Sequence, residues 1–66
     1  MLTLSKKKVL VLLAERGMTI ADLAKRAGMA ASNMSALLSR GSCMPKTAGR
    51  IAAILNCRVQ DVIEEG

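Results

Sequence analysis

Between Thr19 and Ser39 the apolar residues of this chain repeat at helical spacing on both sides of a single glycine. Leu23, Ala24 and Ala27 precede Gly28, and Met34, Leu37 and Leu38 follow it, so two short helices each acquire a face to bury. Thr19 suits the N-cap of the first, where its hydroxyl accepts from the free N–H groups of the opening turn. Gly28 suits its end, because a residue without Cβ enters the left-handed region at little steric cost. Ala24 falls where two helices crossing near a right angle come closest, and a larger side chain there would push them apart. Met29 is expected to drop into the core between them. The pattern predicts a helix-turn-helix over about residues 19–39, its second helix, about Ala31 to Ser39, free to project into a groove.

The flanks extend this pattern. A helix from about Ser5 to Arg16, ending at Gly17, would turn Val9, Leu12 and Leu13 inward with Leu10 at the edge. Pro45 fits the first turn of another helix, where its missing N–H costs nothing, and Ala48, Ile51, Ala52 and Leu55 give that helix, about Pro45 to Asn56, a buried stripe. Gly49 lies on its outer face and costs about 1 kcal/mol against alanine. A last short helix, Val59 to Glu65, would bury Val62 and Ile63. Residues 39–46, SRGSCMPK, read as a polar loop with Cys43 exposed in it. The expectation is an all-α, compact five-helix arrangement in a single domain, residues 1–66, near the lower size limit for folding without staples.

The small alanine Ala24, the turn glycine Gly28 and apolar Met34 and Leu37, followed by SRGSCMP and RIAAILNCRVQDVI, resemble the phage repressor and Cro class (Cro/C1-type) of helix-turn-helix regulators. The likeness runs from about Val9 to Ile63 and implies a phage-repressor-like DNA-binding domain. It places Ala30, Ala31, Ser32, Ser35 and Ala36 on the groove-facing side of the recognition helix, with Asn33 near the DNA backbone. It places the helix N-terminus at Thr19 and Ile20 against a phosphate, and Ser39, Arg40, Ser42, Lys46 and Thr47 along the phosphate strand. Relatives often carry glutamine where this chain has Ile20, so the contact there rests on backbone N–H groups. Many also pair an arginine with a glutamate at positions that are Leu13 and Leu38 here. An ion pair exchanged as a unit for packed apolar groups is often neutral or stabilising. The resemblance further implies a weak homodimer meeting around the C-terminal region on an inverted-repeat operator.

Charge agrees with a polyanionic partner. The net charge is +5; all ten Lys and Arg precede Val59, while Asp61, Glu64 and Glu65 close the chain. Lys6, Lys7 and Lys8 lie in the first turn of their helix, where cations oppose the dipole, and are read as a solvated face or a peripheral phosphate contact. Base readout by alanines and serines is modest: alanines touch thymine methyls, serines serve either base type, and Asn33 alone offers a two-bond match to adenine. Affinity then rests on phosphates and DNA shape. The absence of Phe, Tyr and Trp excludes modules that stack bases on aromatic platforms.

Other chemistry finds little material. Cys43 and Cys57 occur without histidine, too few to assemble a structural metal site, and no cofactor or small-molecule ligand is indicated. Cys57 reads as a small buried thiol. With no histidine to act as base and few, scattered carboxylates, the chain is expected not to be an enzyme. The opening KKKVLVLLAERG imitates a signal peptide, but its apolar run is short and Glu15-Arg16 follow directly. No segment approaches the roughly 20 apolar residues of a membrane span. A cytoplasmic transcriptional regulator, a repressor of phage, mobile-element or bacterial origin, is the expectation. A protein-interaction module or antitoxin-like partner on the same fold is the alternative, supported by the alanine-rich recognition face. A membrane-surface amphipath would expose the apolar face of helix one and deprive the core.

Overall fold

The computed structural model describes residues 1–65. Four α-helices form its body: α1 Lys6–Glu15, α2 Ile20–Ala27, α3 Ala31–Arg40 and α4 Pro45–Ile54. Two short strands, β1 Leu2–Thr3 and β2 Ser42–Cys43, pair antiparallel with Leu2 opposite Cys43 and Thr3 opposite Ser42.

The expected fifth helix is not there. Val59–Asp61 makes a single 3-10 turn, after which the chain extends: Leu4 and Ile63 form an antiparallel bridge and the Glu64 N–H donates to the Thr3 carbonyl at 2.8 Å. The physical reason is competition for backbone partners. The N-terminal segment offers unpaired groups beside this stretch, and the Ser5 N–H donates to Val62 O at 2.8 Å. A helix carried on to Glu65 would forfeit those bonds. On its other side the same segment is held by Leu4 N–H donating to Gly41 O at 2.7 Å. Residues 2–4 therefore tie the end of α3 to the end of the chain.

Local chemistry sets the helix ends. Ser5 caps α1, its Oγ accepting from the Lys8 N–H at 3.2 Å. At the other end of α2, Gly28 adopts φ +72°, and the Met29 N–H reaches back to Ala24 O at 2.9 Å. Asn56, at φ 54°, closes α4 in the same manner, with Cys57 N–H donating to Ala52 O at 3.0 Å. Asparagine tolerates that region because its short polar side chain bonds locally.

The core is one cluster of small and aliphatic side chains. Val9 and Leu13 of α1, Leu23, Ala24 and Ala27 of α2, Met34, Leu37 and Leu38 of α3, and Ala48, Ile51, Ala52 and Leu55 around α4 are all buried, as their spacing indicates. Leu12 and Met29 are half-buried against it, and Leu10 stands outside at 40% exposure. Leu4 and Cys43 join the core, which their positions in the sequence did not suggest. Cys43 is buried because it is the inward residue of β2, whereas Ser42 beside it is half-exposed. Cys57 is only half-buried, and both thiols are unpaired. An alanine Cβ at Gly49 would meet open space, so no packing in the fold requires glycine there.

Leu13 and Leu38 are each 2% exposed within the same cluster. Restoring only the acidic member, Leu38→Glu, strands a carboxylate in apolar surroundings and is expected to destabilise the domain by about 3–5 kcal/mol, enough to unfold it. Leu38→Met, which conserves volume, should cost under about 1.5 kcal/mol. Thermal unfolding followed by far-UV circular dichroism distinguishes them, and a Leu38→Glu protein melting like the wild type would contradict this account of the core.

Candidate nucleic-acid interface

α2 and α3 meet through small residues. Ala24 is 1% exposed, and Gly28, in the left-handed region, ends α2 and redirects the chain toward α3. With Met34, Leu37 and Leu38 buried, the remaining face of α3 is committed to solvent. Ala30, Ala31, Ser32, Ser35 and Ala36 are all exposed, as are Asn33, Ser39 and Arg40. Apart from Arg40 in the last turn this surface holds short side chains, so a neighbouring polymer can approach the helix backbone closely.

α3 runs one residue further than its apolar pattern suggests. Arg40 occupies its last turn instead of a loop, where a cation meets the negative end of the dipole. Gly41 follows at φ +81°, and a Cβ there would lie 3.2 Å from Thr3 Cγ2. A side chain there would be strained by the left-handed backbone and would require Thr3 to shift by a few tenths of an ångström. β2 then delivers the chain directly to α4, with Lys46 exposed and Thr47 half-buried in its first turn. Ser42, half-buried in β2, lies between Arg40 and Lys46 in the chain.

The helix N-termini differ in a way that matters for an anion. α2 begins with a reciprocal capping box: Thr19 Oγ1 accepts from the Asp22 N–H at 3.1 Å, and the Asp22 carboxylate accepts from the Thr19 N–H at 3.0 Å. Those bonds from Thr19, with smaller help from the charges of Arg26 and Lys25, hold the Asp22 carboxyl below its ordinary value. A phosphate approaching Ile20 therefore meets a fixed negative charge. Neither α3 nor α4 has a side-chain cap or an acid in its first turn, and α4 adds Lys46. The N-terminus of α4 is the more favourable of the two anticipated phosphate sites.

Two cations outside the anticipated set have defined structural roles. Lys8 does not stand free: its Nζ donates to Ile63 O at 3.1 Å and Gln60 O at 3.4 Å and pairs with Glu65 at 3.4 Å. It is a clamp on the C-terminal segment, while Lys6 and Lys7 remain exposed. Arg50, absent from the sequence-based set, donates from Nη2 to Ala27 O at 2.8 Å. Its position three residues after Thr47 and four after Lys46 places it on their side of α4, a signal that was available. The thiols offer no reactive centre: burial pushes both Cys43 and Cys57 above the ordinary value. No metal-binding group of His, Cys, Asp or Glu forms among the described residues. None of their helices is long and apolar enough to cross a membrane.

Two packed helices joined through a left-handed glycine, the second of them exposed on one side, and a basic helix start beyond define a helix-turn-helix domain. The chain belongs to the Cro/C1-type HTH DNA-binding domain family, whose model matches residues 8–64. Comparison with curated proteins and with solved structures gave no match. The family is one of DNA-binding domains rather than enzymes, and the match includes all of α2, α3 and α4.

Because the folded Asp22 carboxyl is lowered from 3.8, its contribution to stability is complete above that pH and is lost as pH falls below it. The melting temperature of the wild type should accordingly drop more steeply in acid than that of Asp22→Asn, which holds no charge to lose. Equal acid dependence in the two proteins, measured by thermal melts between about pH 5 and pH 2, would show that the box contributes nothing.

Proposed function

We propose that this protein is a sequence-specific, double-stranded DNA-binding transcriptional regulator that lays α3 in the major groove and represses by occupying its site. The observation that carries the reading is the division of α3: its apolar side is sealed in the core, and its other side offers Ala30, Ala31, Ser32, Ser35 and Ala36 to solvent. Alanines against thymine methyls and serine hydroxyls at either base type give the readout, and Asn33 reaches the backbone or an adenine. Phosphate contacts come from Ser39, Arg40, Ser42, Lys46 and Thr47 around the start of α4; at the start of α2 the Thr19 N–H is taken by Asp22, which leaves the Ile20 N–H as a weaker contact beside that carboxylate. Shape and deformability of the DNA supply much of the specificity, since no arginine lies on the reading face.

The functional unit is a weak homodimer on an inverted repeat whose half-sites lie about one helical turn apart. The C-terminal region supplies the contact. Val62 is buried, but the 3-10 turn adjoins α1 across a shallow groove bordered by Lys7, Val11, Leu12 and Asp61, where Val11 is 50% exposed. Such a patch is small, consistent with a dimer completed on DNA. The protein works in the cytoplasm, where its DNA lies and where two unpaired cysteines persist.

Binding to labelled duplex DNA should weaken steeply with rising salt. Exchanging Arg40 and Lys46 together for alanine should lower the slope of log K against log salt by about two and reduce affinity across all sequences. If the double variant binds DNA as the wild type does, those residues are not phosphate contacts. If the wild type ignores DNA at low salt, the alanine-rich face is a protein-docking surface and the interaction-module reading replaces this one.

A further inference from the structure

The Arg50 side chain makes a contact that the DNA-binding reading does not use. Ala27 is the last residue of α2, so its carbonyl has no partner within the helix. The carbonyls of Ala24 and Lys25 are taken by the Met29 and Gly28 N–H groups. That of Ala27 is taken by Arg50 Nη2 of α4, at 2.8 Å. The guanidinium thereby sits at the negative end of the α2 dipole, and the bond is charge-assisted.

A cavity of about 220 Å³, open to the surface, lies between the turn, α3 and α4, lined by Met29, Met34, Leu37 and Ile51, with Arg50 as one wall. The core beneath it is closed, with Met34 0% and Ile51 1% exposed, so it is a surface indentation that Arg50 lines. Across it, the Arg50 bond joins the turn from which α3 departs to the helix whose first turn carries Lys46 and Thr47.

We propose that Arg50 is a positioning residue: it fixes the spacing between the base-reading face of α3 and the phosphate contacts of α4, and does not itself touch DNA. The inference rests on the DNA-binding reading and adds to it a division of labour among the basic residues of α4. Lys46 attracts the phosphate strand. Arg50 ensures that when Lys46 is seated, α3 is in register with the bases.

The test compares wild type, Arg50→Met and Lys46→Ala on a duplex selected from a random library with the wild-type protein, at a temperature where melts show each fully folded. Arg50→Met is expected to bind about tenfold more weakly with an unchanged salt slope, because the free protein then spends only part of its time in the binding-competent arrangement while no counterion release is lost. Lys46→Ala is expected to lower the slope by about one. Without DNA, the Gly28 and Met29 amides should exchange faster in Arg50→Met, a readout independent of binding. Wild-type affinity in Arg50→Met, a slope lowered by about one, or unaltered exchange at those amides would each overturn the inference. Failure of the wild type itself to bind DNA overturns the DNA-binding reading, and this inference with it.

Discussion

The close crossing of α2 and α3 is the constraint on which the rest depends. Two helices of eight and ten residues have little area to share, and they hold a fixed angle only if their axes come near each other. A methyl at Ala24 permits that approach, and a left-handed Gly28 supplies the change of direction within a single turn. Everything exposed on α3 is exposed because its other side is spent on this crossing. The exposed face of α3 thus follows from the same packing that stabilises the domain.

A core without aromatic residues has to compensate for small individual contacts, and this chain does so by closing on itself. Residues 3–5 bond to Gly41, Val62 and Glu64, so the beginning of the chain bridges the end of α3 and the C-terminal segment. Lys8 strengthens the closure from α1 by bonding two carbonyls of that segment. Cations in the first turn of a helix are unfavourable in isolation. Here one of the three is turned to carbonyl oxygens, so its cost is offset by contacts distant in sequence. Three of the five acidic residues, Asp61, Glu64 and Glu65, lie in this C-terminal segment, whereas Glu15 and Asp22 lie on α1 and α2.

What could be read before folding was whatever is decided within a few residues. The limits of α2, the Thr19 cap, the Gly28 turn and the buried stripes of α3 and α4 all follow from local spacing, and the structure bears them out. The paired strands were illegible because two residues establish no alternation. Cys43 reads as exposed among polar neighbours until β2 gives it an inner side. The last helix looked plausible on Val59, Val62 and Ile63, but its backbone finds partners in residues 3–5, a pairing no local pattern announces. Among the anticipated contact residues, exposure on α3 was legible from its opposite face. The carboxylate at the start of α2 was visible in the sequence, yet its meaning depended on the capping bonds that fix it. Arg50 was likewise visible as a side chain beside Lys46 and Thr47, but its partner, a carbonyl of another helix, was not.

The most direct test of the account is to titrate a selected duplex into uniformly labelled protein and follow the backbone amides by NMR. The account predicts that the perturbed amides cluster at residues 30–36, at 39–42 and in the first turn of α4, leaving Leu10, Val11 and the 3-10 turn changed only where two copies meet. Perturbations confined to α1 and the C-terminal segment, with α3 unmoved, would contradict the assignment of α3 as the reading element.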